Sequence, residues 1–169
     1  LGVCYYRLNR TEESIQAYQK ALALDPENDE LILLVGQLYY NDQRYADAVD
    51  YLQRFVAVNT DDEEALAILG HAFSLLEQND DALEIYLRVV RLNPRNGAAY
   101  ANIGRLYWLQ QDFSAAIPYY AKALELDPAD ADAAHDLAVT YIKLEQLEAA
   151  LPVLQQALRY DSTNADSWY

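Results

Sequence analysis

The chain has 169 residues, 53% of them apolar and 23% charged, with five Gly and five Pro. It is too hydrophobic to stay disordered and too rarely broken to be a loop-rich scaffold. Twelve Lys and Arg stand against 27 Asp and Glu, a net charge of −15, so the surface repels phosphate backbones and anionic lipid heads, and neither nucleic acid nor a membrane is an expected partner.

A period of 34 residues runs through the chain. Gly2, Gly36, Gly70 and Gly104 share one column, continued by Ala138, and Tyr5, Tyr39, Phe73, Tyr107 and Tyr141 share another three positions on. Ser14, Ala48, Ala82, Ala116 and Ala150 form a small-residue column, and Pro26, Pro94 and Pro128 punctuate the ends of units, with Thr60 and Ser162 in the remaining places. A fixed period of this length marks an array of supersecondary units. At this length one core or one continuous stack is expected.

In chain order the register gives a partial unit at 1–28, complete units at 29–62, 63–96, 97–130 and 131–164, and the opening of a further helix at 165–169. Within 97–130, Tyr100, Ile103, Gly104 and Tyr107 fall on one face of a first helix, and Ala116, Tyr120, Ala123 and Leu124 on one face of a second. Asp112 is placed to cap the second helix. The column Asn28, Asp62, Asn96, Asp130 and Asn164 is placed to cap each first helix, with Glu30, Glu63, Glu64 and Asp132 near the positive end of the dipole. Gly104 and Ala116 carry little or no side chain, so the two helices of the unit are expected to pack closely. Pro118 and Pro152 are compatible with second helices that begin near Ser114 and Glu148, because a first-turn Pro removes only an N–H that had no intrahelical partner.

The pattern resembles the tetratricopeptide repeat family, matched in register along the whole chain. It departs from it in the opening aromatic column, which reads Ile32, Leu66, Tyr100, Ala134 and Trp168, and in Phe55 and Thr60. The resemblance implies an all-α, right-handed superhelical solenoid of antiparallel helix pairs. Such a stack buries its apolar faces only against neighbouring repeats, so the natural chain is expected to continue in both directions, with ends open to self-association. The N-terminal LGVCYYRLNR has no start Met and no signal-peptide pattern, which leaves the compartment open, with the cytoplasm as the default.

Few residues suggest chemistry. His71 and His135 lie in different units, on the order of 20 Å or more apart in a stack of helices, too far to share a metal. The glycines occur singly, with no phosphate-binding loop. Cys4, among apolar and aromatic residues, reads as a buried structural thiol that has no disulfide partner in the chain. The acidic runs fall in caps and turns. No catalytic residue, metal or cofactor is expected.

In members of this family the first helices line a concave channel, and the outward positions of those helices are unusually apolar here. They include Leu34, Gln37, Tyr40 and Asn41 in one unit, Ile68 and His71 in the next, Asn102, Arg105 and Trp108 in the third, and His135, Asp136 and Val139 in the fourth. Such a groove suits a protein or peptide partner with apolar anchors. Columns that in some members hold acidic tails with Lys, Asn and Arg read here Leu33, Gln37, Ala67, His71, Ala98, Asn102, Asp132 and Asp136, so a neutral or mildly basic segment is expected instead. The leading expectation is a non-catalytic protein–protein interaction scaffold. The alternatives are the substrate-recognition arm of a larger enzyme, for example a glycosyltransferase, and a self-assembling scaffold.

Overall fold

The computed structural model describes residues 1–165 of the backbone, and among these residues every regular element is a helix. The order is α1 (Gly2–Arg7), α2 (Thr11–Leu24), α3 (Asp29–Asn41), α4 (Tyr45–Val58), α5 (Glu63–Leu75), α6 (Asn79–Leu92), α7 (Gly97–Leu109), α8 (Phe113–Leu126), α9 (Ala131–Lys143) and α10 (Leu147–Ala165). The chain forms two compact units, Leu1–Ile85 and Tyr86–Tyr169.

Local chemistry sets the helix starts. The side chains of Asn28, Asp62, Asn96 and Asp130 accept from the amides of Leu31 (3.1 Å), Ala65 (2.9 Å), Ala99 (2.9 Å) and Ala133 (2.9 Å), which satisfies one orphan donor at each N-terminus. Asp112 caps α8 in the same way, accepting from Ala115 at 3.0 Å. The fifth member of the column behaves differently. α10 continues through Ser162 and Asn164 to Ala165; Ser162 stands where other units carry Pro, whose ring would remove a backbone bond. The further helix expected at 165–169, with Trp168, lies outside the described residues beyond Ala165.

First helices end in a feature the sequence does not announce. Asn9, Gln43, Glu77, Gln111 and Glu145, again 34 apart, all hold positive φ, between 57° and 62°. After each, the next amide reaches back to the aromatic column: Arg10 to Tyr5 (3.0 Å), Arg44 to Tyr39 (2.9 Å), Gln78 to Phe73 (3.0 Å), Asp112 to Tyr107 (3.0 Å) and Gln146 to Tyr141 (2.9 Å). This is the left-handed C-terminal turn of a helix, usually built on Gly. In two of these turns the same residue also lays its guanidinium over the ring, Arg10 at 4.8 Å from the Tyr5 centroid and Arg44 at 4.4 Å from that of Tyr39.

In the first unit α1 pairs with α2 and α3 with α4, and α5 packs on α4. The core holds Ile15, Leu22, Ile32, Val35, Leu52, Phe55, Leu66 and Leu69. Phe55 replaces the usual small residue and is accommodated as a buried side chain. In the second unit, α7 packs on α8, α8 on α9 and α9 on α10, around Ala116, Tyr120, Ala123, Leu124, Ala133, Ala134 and Leu137.

Three sequence expectations change in detail. The glycine column meets the small-residue column at Gly2, whose carbonyl accepts from Ser14 Oγ at 3.0 Å, and it also faces large side chains of the paired helix. A Cβ on Gly104 would lie 2.9 Å from the Tyr120 ring, one on Gly36 3.0 Å from Leu52 Cγ, and one on Gly2 2.5 Å from the Tyr18 ring. The close approach is therefore helix backbone against a large side chain. α8 and α10 begin at Phe113 and Leu147, one residue earlier than expected, which puts Pro118 and Pro152 in the second turn. Each then removes one backbone bond, from the carbonyls of Ser114 and Glu148, on an exposed side of the helix where water replaces it. Finally, Cys4 is exposed, because the short α1 turns only Gly2 into the core.

Candidate functional site

In the second unit, α7 and α9 lie side by side with α8 behind them, and their outward residues enclose a cavity of about 320 Å³. Its lining is Arg105, Trp108 and Leu109 from α7, Tyr120 from α8, and His135, Asp136 and Val139 from α9. Trp108 stands edge-on to Phe113, ring centroids 5.8 Å apart. This contact holds the indole as part of the lining, which Val139 shares. Trp108 is thus half packing and half site.

The polar groups gather at one side. Arg105 Nη2 lies 3.7 Å from Asp136 Oδ2, with the guanidinium side chain 58% exposed and the carboxylate side chain 30% exposed. That distance is long for a charge-assisted hydrogen bond. Tyr120 is buried to 1% exposure. Burial pushes its phenol well above the ordinary tyrosine value, and the neighbouring Asp136 carboxylate adds to the rise while Arg105 opposes it. The phenol is therefore a protonated hydroxyl against the inner side of Asp136. Asp136 is also anchored through its backbone carbonyl, which accepts from Thr140 Oγ1 at 2.6 Å.

Five expected residues, Arg105, Trp108, His135, Asp136 and Val139, come together in this cavity. Asn102, one turn before Arg105, is half-buried and does not line it. Tyr120 and Leu109 are the lining residues that sequence reasoning did not assign to the site. Tyr120 sits on the inward face of a second helix, and only its long phenol takes the hydroxyl through to the cavity.

In the first unit the expected residues form a smaller constellation. The Tyr40 hydroxyl and His71 Nδ1 are hydrogen-bonded, their rings 5.8 Å apart, and Tyr40 also meets Tyr45 edge-on at 5.8 Å. Burial raises the Tyr40 phenol above its ordinary value. Leu34, Gln37 and Ile68 are half-buried and Asn41 is exposed; neither of the cavities at Pro26–Val58 and Val58–Asp62 gathers them.

The two constellations share one geometric rule. Tyr40 meets His71, Arg105 meets Asp136, and Trp108 shares a cavity with Val139. Each pair is separated by 31 residues, one helical turn short of the 34-residue period. Within each unit, neighbouring first helices are thus offset by about a turn, and a side chain faces the residue one turn before its own counterpart.

Models of the tetratricopeptide repeat match residues 2–43, 30–61, 69–131 and 107–169. The chain belongs to the tetratricopeptide repeat family. A comparison with curated proteins finds no match. Among solved structures, a crystal structure of MamA is similar at 26% identity with a TM-score of 0.92, over 98% of this chain and 97% of that one. A second MamA structure is 27% identical with a TM-score of 0.90, over 98% and 90%. The crystal structure of YrrB, described as a TPR protein with an unusual peptide-binding site, is 27% identical with a TM-score of 0.82, over 94% and 82%. The fold and family are those of protein–protein interaction scaffolds, whose partners are proteins or peptides.

Proposed function

We propose that this chain is a non-catalytic scaffold that holds a peptide segment or partner subunit on the outward face of its first helices. The observation that carries the reading is the cavity between α7 and α9. It is apolar on the Trp108, Leu109 and Val139 side, polar at Arg105 and Asp136, and open to solvent. A volume of about 320 Å³, at the low end for ligand pockets, takes one or two side chains. An apolar wall with a few placed polar groups is how an anchor residue of a partner is held. YrrB, similar in fold, is described as peptide-binding, which supports the same class of partner.

The test is affinity capture from native extract with the chain and with an Arg105→Glu variant side by side. Arg105 is largely exposed, so this substitution leaves the core intact. Partners retained by the first and lost by the second support the reading; identical retention by both moves binding to another surface and overturns it.

A further inference from the structure

We infer that the α7–α9 cavity reads a primary carboxamide, the side chain of a Gln or Asn in the partner segment, whose edge bridges Arg105 and Asp136. This rests on the reading of the cavity as a peptide site. Arg105 Nη2 and Asp136 Oδ2 are 3.7 Å apart, beyond the ~2.7–2.9 Å of a charge-assisted bond. A donor and an acceptor thus stand side by side at the edge of an apolar cavity that both residues line. The group that completes both must offer an acceptor and a donor on a single edge.

Charge disfavours ionised side chains. An ammonium or guanidinium entering to meet Asp136 would face the Arg105 cation, and a carboxylate entering to meet Arg105 would face the Asp136 anion. With the carboxylate half-buried, neither repulsion is fully screened. A neutral amide meets both without penalty. One trans peptide unit directs its N–H and C=O to opposite sides, and although an extended residue turns its own N–H and C=O to one side, a backbone lacks the stem that reaches into a cavity of side-chain size. A primary carboxamide carries two N–H donors and a carbonyl acceptor, and one N–H lies on the same edge as the oxygen.

The carboxamide N–H donates to Asp136, its oxygen accepts from Arg105, and its methylene stem lies along Trp108 and Val139. The buried Tyr120 hydroxyl holds Asp136 from the inner side, so the carboxylate presents a fixed acceptor while the more exposed Arg105 adjusts. The remaining volume beside Leu109 accommodates a neighbouring apolar side chain of the same segment.

The experiment selects random short peptides displayed on phage against the purified chain. The selected peptides are then synthesised with Gln, Asn, Glu or Met at the enriched position, and binding is read by fluorescence anisotropy. Gln or Asn next to a bulky apolar residue is expected, the two syntheses deciding the stem length. Replacement by Glu or by Met, which keeps the Gln shape without the amide, weakens binding at least about tenfold. Asp136→Asn removes the anion at nearly constant shape, so this variant, checked for folding by circular dichroism, should prefer Glu to Gln. Peptides lost on Arg105→Glu but indifferent to the carboxamide, or an unchanged preference in Asp136→Asn, overturn the inference and leave the peptide-binding reading standing. Failure to select any peptide, or peptides insensitive to Arg105→Glu, removes both.

Discussion

The backbone amide of Asp112 donates to the carbonyl of Tyr107 at 3.0 Å, across Gln111 at a φ of 62°. The bond closes α7, and the same Asp112 opens α8 by capping Ala115. One residue therefore ends one helix and starts the next, which is how the turn stays short enough to keep the pair antiparallel. The turn depends on a left-handed residue that is not Gly, a conformation that costs an L-residue roughly 1–2 kcal/mol.

Gln111→Gly is accordingly expected to stabilise the chain by about 0.5–1 kcal/mol, the relief of strain outweighing the freedom Gly gains when unfolded. Gln111→Val, branched at Cβ, should destabilise it. Urea unfolding of the three proteins measures both effects.

Gly104→Leu should cost about 1–3 kcal/mol by overpacking, since even a Cβ would come within 2.9 Å of the Tyr120 ring. The diagnostic is the double variant. Gly104→Ala with Tyr120→Leu should cost less than the sum of the two single changes, and strict additivity of the two melting shifts would show that the contact is not there.

Alkaline pH should unfold the chain by a route that Tyr120 reports. Its folded-state value is raised by burial above the ordinary value near pH 10, and Tyr18, Tyr39, Tyr40 and Tyr119 are raised for the same reason. Above about pH 10 the unfolded chain releases phenolic protons that the folded chain keeps, so each contribution is full below that pH and is lost as pH rises through the folded-state value. Stability should therefore decline on the alkaline side, and less steeply in Tyr120→Phe. A phenolate absorbance titration followed together with helicity tests this; complete tyrosine ionisation with helicity retained would contradict it.

The Cys4 thiol is exposed and should react with a disulfide reagent in the folded chain, without denaturant. Protection until unfolding would return it to the core.

Much of this architecture is legible in the sequence because it is written locally and then repeated. The capping column, the aromatic column and the starts of the first helices each depend on a few neighbouring residues, and a period of 34 states them several times over. The left-handed turns were not legible, since Asn9, Gln43, Glu77, Gln111 and Glu145 share a conformation without sharing the glycine that would signal it. Tyr120 was read for its ring and not its hydroxyl. Its role at the cavity depends on α8 lying behind both α7 and α9, a tertiary fact with no local trace. Cys4 looked buried because its neighbours are apolar, yet the face they share is turned by a helix of six residues that covers little.

The offset of one turn between facing first-helix residues also bears on how such an array can be recombined. Arg105 and Trp108 belong to one repeat, Asp136 and Val139 to the next, so the cavity is inherited diagonally. Exchange of residues 97–130 as a cassette would transplant half of the proposed binding site and leave the other half facing a stranger. A graft that carries specificity must instead be cut within helices, at the boundaries of the cavity and not at those of the repeat.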